Sequence, residues 1–171
     1  MRGFFVGVAV TLLLAAGFGF LVANRGWFPI GADNPPGSLE RWAANMAMDA
    51  YVDGHAPRQE NPVQPTATSL GDGARLFEMH CSLCHGGAAE RISKLRTKFS
   101  PPVPQIINRI PGDDDAHLWW VTKHGIRMTG MPAWDAVLTD QEIWTVVAFI
   151  KHSDKLPPEA LKAWKDAAGI M

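Results

Sequence analysis

The stretch from Glu78 to Glu90, EMHCSLCHGGAAE, holds the chain's only two cysteines, Cys81 and Cys84, with His85 directly after the second. Two thiols at this spacing with an adjoining imidazole have one dominant reading, covalent attachment of haem c. Each thiol adds to one haem vinyl group as a thioether. The helical-turn spacing lets both sulfurs reach one macrocycle, and the adjacent histidine supplies the proximal nitrogen to the iron. Other uses of these residues fit worse. A thioredoxin-like pair needs a βαβ context, and no stretch of this chain alternates like a strand. Structural zinc needs about four ligands, and His80 and His85 lie too close in sequence to close a tetrahedron with the two sulfurs. A bridge between Cys81 and Cys84 stays open to the haem-free chain, but so short a loop constrains little.

Iron in this setting takes a sixth ligand from methionine or histidine. His80 and Met79 precede Cys81 and cannot reach the opposite haem face. His117 and His152 sit on expected helices, and His55, Met46 and Met48 lie upstream of the expected domain. The segment HGIRMTGMPAWDAVLTD then offers His124, Met128 and Met131. Met131 is preferred over the other two. Gly130 permits a close backbone approach to the haem, and Pro132 keeps the loop extended just after the ligand. Trp134 follows where it can cover the haem edge. Met128 can simply fill the pocket, as methionine does in irregular apolar gaps.

The segments GARLFEMHCSLCHG, LWWVTKHGIRMTGMPAW and LTDQEIWTVVAFIKH, in that order, resemble a class I cytochrome c over roughly residues 70–153. The resemblance implies an all-α fold in which the helix before the haem motif crosses the last helix of the domain. Gly73 and Phe77 would there meet Trp144 or Phe149. It also implies a proline whose carbonyl binds the proximal histidine ring, for which FSPPVPQ offers Pro101 or Pro102. Such a bond orients the imidazole and raises its basicity.

The run from Phe4 to Ala23, FFVGVAVTLLLAAGFGFLVA, lies in a stretch with no charge between Arg2 and Arg25. That is about 22 residues, or roughly 33 Å as a helix, enough to span a bilayer core. A cleaved secretory signal would have an apolar region of about 7 to 15 residues and a small-x-small cleavage site. Neither fits well, so an uncleaved anchor is expected. Trp27 and Phe28 then stand where an interfacial aromatic belt would. SLERWAANMAMDAYVDGHA reads as a helix from Leu39 to about Val52, capped by Ser38, with Leu39, Trp42, Ala43, Met46 and Ala50 on one face. It either lies on the membrane, packs on its own domain or meets a partner. The proline-bearing segment after it reads as a linker, from about His55 to Ser69, that lets the haem domain move. Further on, Asp72 is the expected cap of the helix carrying Leu76 and Phe77. The aspartates at 113–115 sit at the positive end of a short helix stopped by Gly125. Thr139 and Glu142 form a capping box, and a tail helix runs from about Pro158 to Ala168. The expected domains are an anchor at 1–25, an interfacial segment, amphipathic helix and linker at 26–69, a haem domain at 70–155 and a tail helix at 156–171.

Sixteen basic residues stand against 17 acidic ones, which argues against a nucleic-acid binder of strongly basic pI. A His85/Met131 iron has no open axial position, and the soft thioether raises its potential. Trp119, Trp120 and Trp134 would help keep water away. The expected protein is therefore an electron carrier and not itself an enzyme. Its partners would be a quinol-oxidising complex, a dehydrogenase, or a terminal oxidase or reductase. Two alternatives stay open: a fixed haem subunit of a larger membrane complex, and a haem-based gas sensor or peroxidatic enzyme. Haem c is attached outside the cytoplasm, so the expected location is the bacterial inner membrane with the haem domain in the periplasm. Arg91, Lys94, Arg96, Lys98, Lys123 and Arg127 form either a docking ring for an acidic partner or a solvated loop.

Overall fold

The computed structural model describes residues 1–27, 29–107 and 111–170; Phe28 lies outside them. It is all-helical, with no strand among the described residues. The chain forms two compact units, Met1–Asn34 and Pro35–Met171.

The first unit is built on α1, Arg2–Asn24. At 1.5 Å per residue it is roughly 35 Å long. It buries no residue within the protein, and its mid-helix Thr11 hydroxyl donates to the Gly7 carbonyl at 3.0 Å. A polar side chain satisfied in this way tolerates an apolar solvent. The helix is long and apolar enough to cross a membrane, which supports membrane anchoring of the chain.

The second unit contains α2 (Ser38–His55), α3 (Ala67–His80), α4 (Ser82–His85), α5 (Asp115–His124), α6 (Asp140–His152) and α7 (Pro158–Ala167). Local capping sets most of these boundaries. Thr139 and Glu142 exchange hydrogen bonds at the start of α6, where the Thr139 amide and hydroxyl hold the Glu142 carboxyl below its usual range. Asp114 caps α5 by accepting from the His117 amide at 2.6 Å. At α2 the cap is Gly37 in place of Ser38, with the Glu40 carboxylate reaching back to the Gly37 amide. The start of α3 also differs from expectation. Thr66 and Ser69 satisfy each other's amides there, so the helix begins one and a half turns or so before Asp72. Asp72 instead pairs with Arg75 on the helix surface.

The core is the crossing of α3 and α6. A Cβ on Gly73 would run into the Thr145 carbonyl and come within 2.8 Å of Phe149 Cβ. Only glycine lets the two backbones come this close. One turn on, Phe77 packs on Phe149 with ring centroids 5.3 Å apart. Of the two expected partners Phe149 meets this helix, while Trp144 stacks on Trp119 at 5.3 Å.

The C-terminal helix is part of this core and not an appended tail. Trp164 is 1% exposed, sits edge-on to Phe149 at 5.1 Å, and donates from Nε1 to Glu78 Oε2 at 2.7 Å. The same Glu78 oxygen accepts from the Ala88 amide just after the haem motif. The upstream helix α2 also belongs to the globular unit, but through another face than the one expected. Leu39 is 74% exposed, and Trp42 and Met46 are exposed with it, whereas Val52 is buried. Tyr51 meets Trp120 edge-on at 5.7 Å. The segment read as a mobile linker is pinned to the domain: Asn61 Nδ2 donates to the Trp144 carbonyl at 3.0 Å, and Val63 is buried beside Leu70 and Trp144. Proline holds this strip extended, and burial of Val63 gives it a fixed seat.

Trp164→Ala should destabilise the haem-loaded protein by about 3–5 kcal/mol, read from the urea midpoint. Trp164→Phe should cost less but still leave Glu78 short of a donor.

Candidate functional site

The haem motif straddles the end of α3 and the single turn α4. Cys81 is the C-cap of α3, its amide donating to Phe77 O, and the amides of Cys84 and His85 both donate to Cys81 O. This tight turn brings Cys81, Cys84 and His85 onto one wall of a mostly apolar cavity of about 750 Å³. Met131 and Trp134 line the same cavity. Its volume falls within the range of small-molecule and cofactor sites. Both cysteines are unpaired thiols. Among the described residues no group of three or more His, Cys, Asp or Glu side chains is placed to hold a metal ion.

The imidazole of His85 is fixed from behind. Its Nδ1 lies 2.9 Å from the carbonyl of Pro104. A carbonyl only accepts, so Nδ1 carries the proton and the Nε2 lone pair is left for a metal. Burial pulls His85 below the ordinary imidazole range, and the bond to Pro104 opposes this in part. Neutral imidazole is the form that binds iron. Burial, with Cys84 adding to it, pushes the Cys81 thiol up to about 12.

The expected proline partners were Pro101 and Pro102. They line the cavity, but the carbonyl facing His85 belongs to Pro104. The reason is a clamp that could not be anticipated from the motif. Gln105 donates from Nε2 to the carbonyls of Cys84 and Val103, both at 3.1 Å, and its Oε1 accepts from the Ser93 amide at 2.6 Å. Ser93 Oγ in turn donates to Leu83 O. One amide side chain thus ties the haem turn, the following loop and the Pro104 segment together.

On the same cavity, the Met131 loop closes on itself. The Ile126 amide donates to Met131 O at 3.1 Å, and the Met131 amide donates to Thr129 Oγ1 at 3.1 Å. Met131 lines the cavity, whereas Met128 is 91% exposed with φ at +62° and lies outside the lining. His124 packs on Trp120 at 4.6 Å, also outside it. Gly130 makes a close approach, but to protein: a Cβ there would come within 2.7 Å of Phe99 Cε1. Of the three tryptophans expected to exclude water, Trp134 lines the cavity and packs on His80 at 5.4 Å. Trp119 and Trp120 are engaged elsewhere, on Trp144 and on Tyr51 and His124. Met48 and His117 also line the cavity. The sequence set both aside as iron ligands, His117 for its place on a helix and Met48 for lying upstream of the domain; that α2 packs Met48 against the cavity depends on tertiary contacts its apolar pattern does not show.

An all-helical domain whose single C-x-x-C-H turn opens onto an apolar cavity with an oriented imidazole suits a covalently held haem. Residues 68–150 match the family described as cytochrome C oxidase, cbb3-type, subunit III. Residues 68–150 are thus a c-type cytochrome domain, which implies covalently attached haem c at Cys81 and Cys84. No curated protein and no solved structure matches it.

Gln105→Ala should lower the stability of the haem-loaded protein by about 1–3 kcal/mol, the cost of leaving buried partners unpaired. Urea denaturation followed at the haem absorbance checks this.

Proposed function

We propose that this chain carries single electrons through a six-coordinate haem c. Cys81 and Cys84 hold the macrocycle as thioethers, and His85 and Met131 are the axial ligands. The observation that carries this reading is the pairing of His85 and Met131 on one cavity while Met128 and His124 face away from it. Bound in this way, haem supplies reversible one-electron chemistry at an iron with no open position. The protein residues orient the ligands and exclude water. Pro104 O holds the His85 ring, the Ile126–Met131 turn presents the thioether, and Trp134 covers one side. Such a site transfers electrons without binding substrate, so the chain is not itself an enzyme.

The family description favours a second form of this reading, a fixed electron-transfer subunit of an oxidase-type complex in place of a free shuttle. A quinol-oxidising complex, a dehydrogenase or a terminal oxidase or reductase remains the partner class. Purification in mild detergent separates the two forms, a stoichiometric complex supporting the subunit and a lone cytochrome the shuttle. Haem c attachment takes place outside the cytoplasm, so α1 anchors the chain in the bacterial inner membrane with the haem domain on the periplasmic side.

The basic residues divide by the company they keep. Lys123 is committed to Asp140 at 2.7 Å, and Arg91 lies over the Trp164 ring at 5.0 Å. Arg96 lines the cavity, Lys98 is exposed nearby in sequence, and Lys94 is exposed with only a solvent-facing pair to Glu90 at 3.5 Å. These three are the better candidates for meeting an acidic partner.

Oxidised protein should show the far-red methionine-to-iron charge-transfer band, and Met131→Ala should abolish it. A native protein that lacks the band or binds carbon monoxide freely would exclude this ligand pair and favour a sensor or peroxidatic role. Neutralising Lys94, Arg96 and Lys98 together should slow electron transfer to the partner at low salt and matter less at high salt. An unchanged low-salt rate would rule these residues out as a docking face.

A further inference from the structure

The N-terminal half of α2 is a helix that its own domain does not cover. From Ser38 to Ala47 every residue is exposed, and the helix buries only Val52, in its last turn. Helices in proteins take most of their stability from packing an apolar face. The first turns of α2 pack none, yet they carry one. Leu39, Trp42, Ala43, Met46 and Ala50 fall within an arc of about 100° around the helix axis. Between Leu39 and Ala50 no charged residue falls inside that arc. Leu39, Trp42 and Met46 are its large members, and all three are exposed.

The position of this stripe in the chain says what covers it. It begins at the end of α2 that is nearest in sequence to the membrane anchor, whereas Val52 seats the far end on the domain. Helix α1 ends at Asn24 and α2 starts at Ser38. The residues between them, 25–37, reach at most about 45 Å when fully extended. Trp27 and Ile30 in that connection are exposed as well, and tryptophan favours the headgroup level of a bilayer. Because α1 holds the connection at the membrane, a meeting of stripe and lipid is intramolecular and needs little contact area. A protein partner needs more. Even fully buried, a large aromatic side chain supplies only about 150–250 Å², so three large side chains by themselves fall short of the roughly 800 Å² per side of a stable protein interface.

We infer that the Leu39–Trp42–Met46 face of α2 lies on the bilayer that α1 crosses, as a second membrane contact of the chain. The apolar side chains enter the boundary between headgroups and acyl chains, and the polar faces stay in water. The contact is apolar in nature. Glu40, Asp49 and Asp53 stand against Arg41 on this helix, so no excess of positive charge draws it to anionic lipid. Through α2 the haem domain is held at the membrane surface and does not swing on the connection alone.

The test places a nitroxide on the haem-loaded full chain at Met46→Cys or at Ala44→Cys, in vesicles of zwitterionic phosphatidylcholine. Both positions are exposed, and two residues apart they point to nearly opposite sides of the helix. Collisions with oxygen, which concentrates in lipid, and with a water-soluble nickel chelate report the depth of each label. The label at Met46 should meet nickel several-fold less and oxygen more than the label at Ala44. Added salt should leave that contrast unchanged. Leu39→Glu combined with Trp42→Glu should raise nickel access at Met46 to the level at Ala44. Both residues are exposed, so the haem absorbance and urea midpoint of this variant should stay native. Equal access at Met46 and Ala44 in the otherwise native chain overturns the proposal. So does protection of Met46 that requires a copurified protein or grows with the density of the chain in the vesicles, which would assign the face to a partner subunit or to a second copy.

Discussion

Gly73 is the point on which the domain turns. Without a side chain there, the α3 backbone rests against the Thr145 carbonyl of α6, and the Phe77–Phe149–Trp164 stack forms beside that contact. The end of α3 is thereby fixed in space, and the end of α3 is where Cys81 begins the haem turn. A covalent cofactor held at two points needs its attachment turn to be rigid relative to the opposite wall. The α3–α6 crossing supplies that rigidity, since α5 packs on α6 and leads directly into the Met131 loop.

The haem turn is braced a second time from behind. Glu78 joins Trp164 of α7 to the Ala88 amide, and Gln105 joins Cys84 to Ser93 and Val103. Both are polar side chains with several partners each, and networks of this kind fix geometry where apolar packing alone would leave latitude. Their result is a His85 ring with a defined tautomer.

Outside the matched domain, α2 contributes Met48 to the cavity lining and Asp53 to His117. The helix therefore completes one wall of the pocket, and its exposed face of Leu39, Trp42 and Met46 is a separate surface. The extended strip that follows it, seated by Asn61 and Val63, holds α2 in place.

Much of this was legible in the residues alone. C-x-x-C-H specifies its own chemistry because both thioethers and the proximal imidazole come from one turn. The Thr139–Glu142 box, the acidic start of α5 and the proline opening α7 are read correctly because each depends on neighbours within three or four residues. Three features were decided only by the tertiary structure. Pro104 and not Pro101 or Pro102 faces His85, because the Gln105 clamp sets the path of that segment. The domain selected the Val52 side of α2 over the Leu39–Trp42–Met46 stripe, because a helix with two apolar stripes does not say which one a partner surface fits. The linker and tail turned out to be core, because burial of Val63 and Trp164 depends on cavities that α3 and α6 create together. Local sequence determines chemistry and helix ends, and long-range packing determines which of several adequate faces and carbonyls is used.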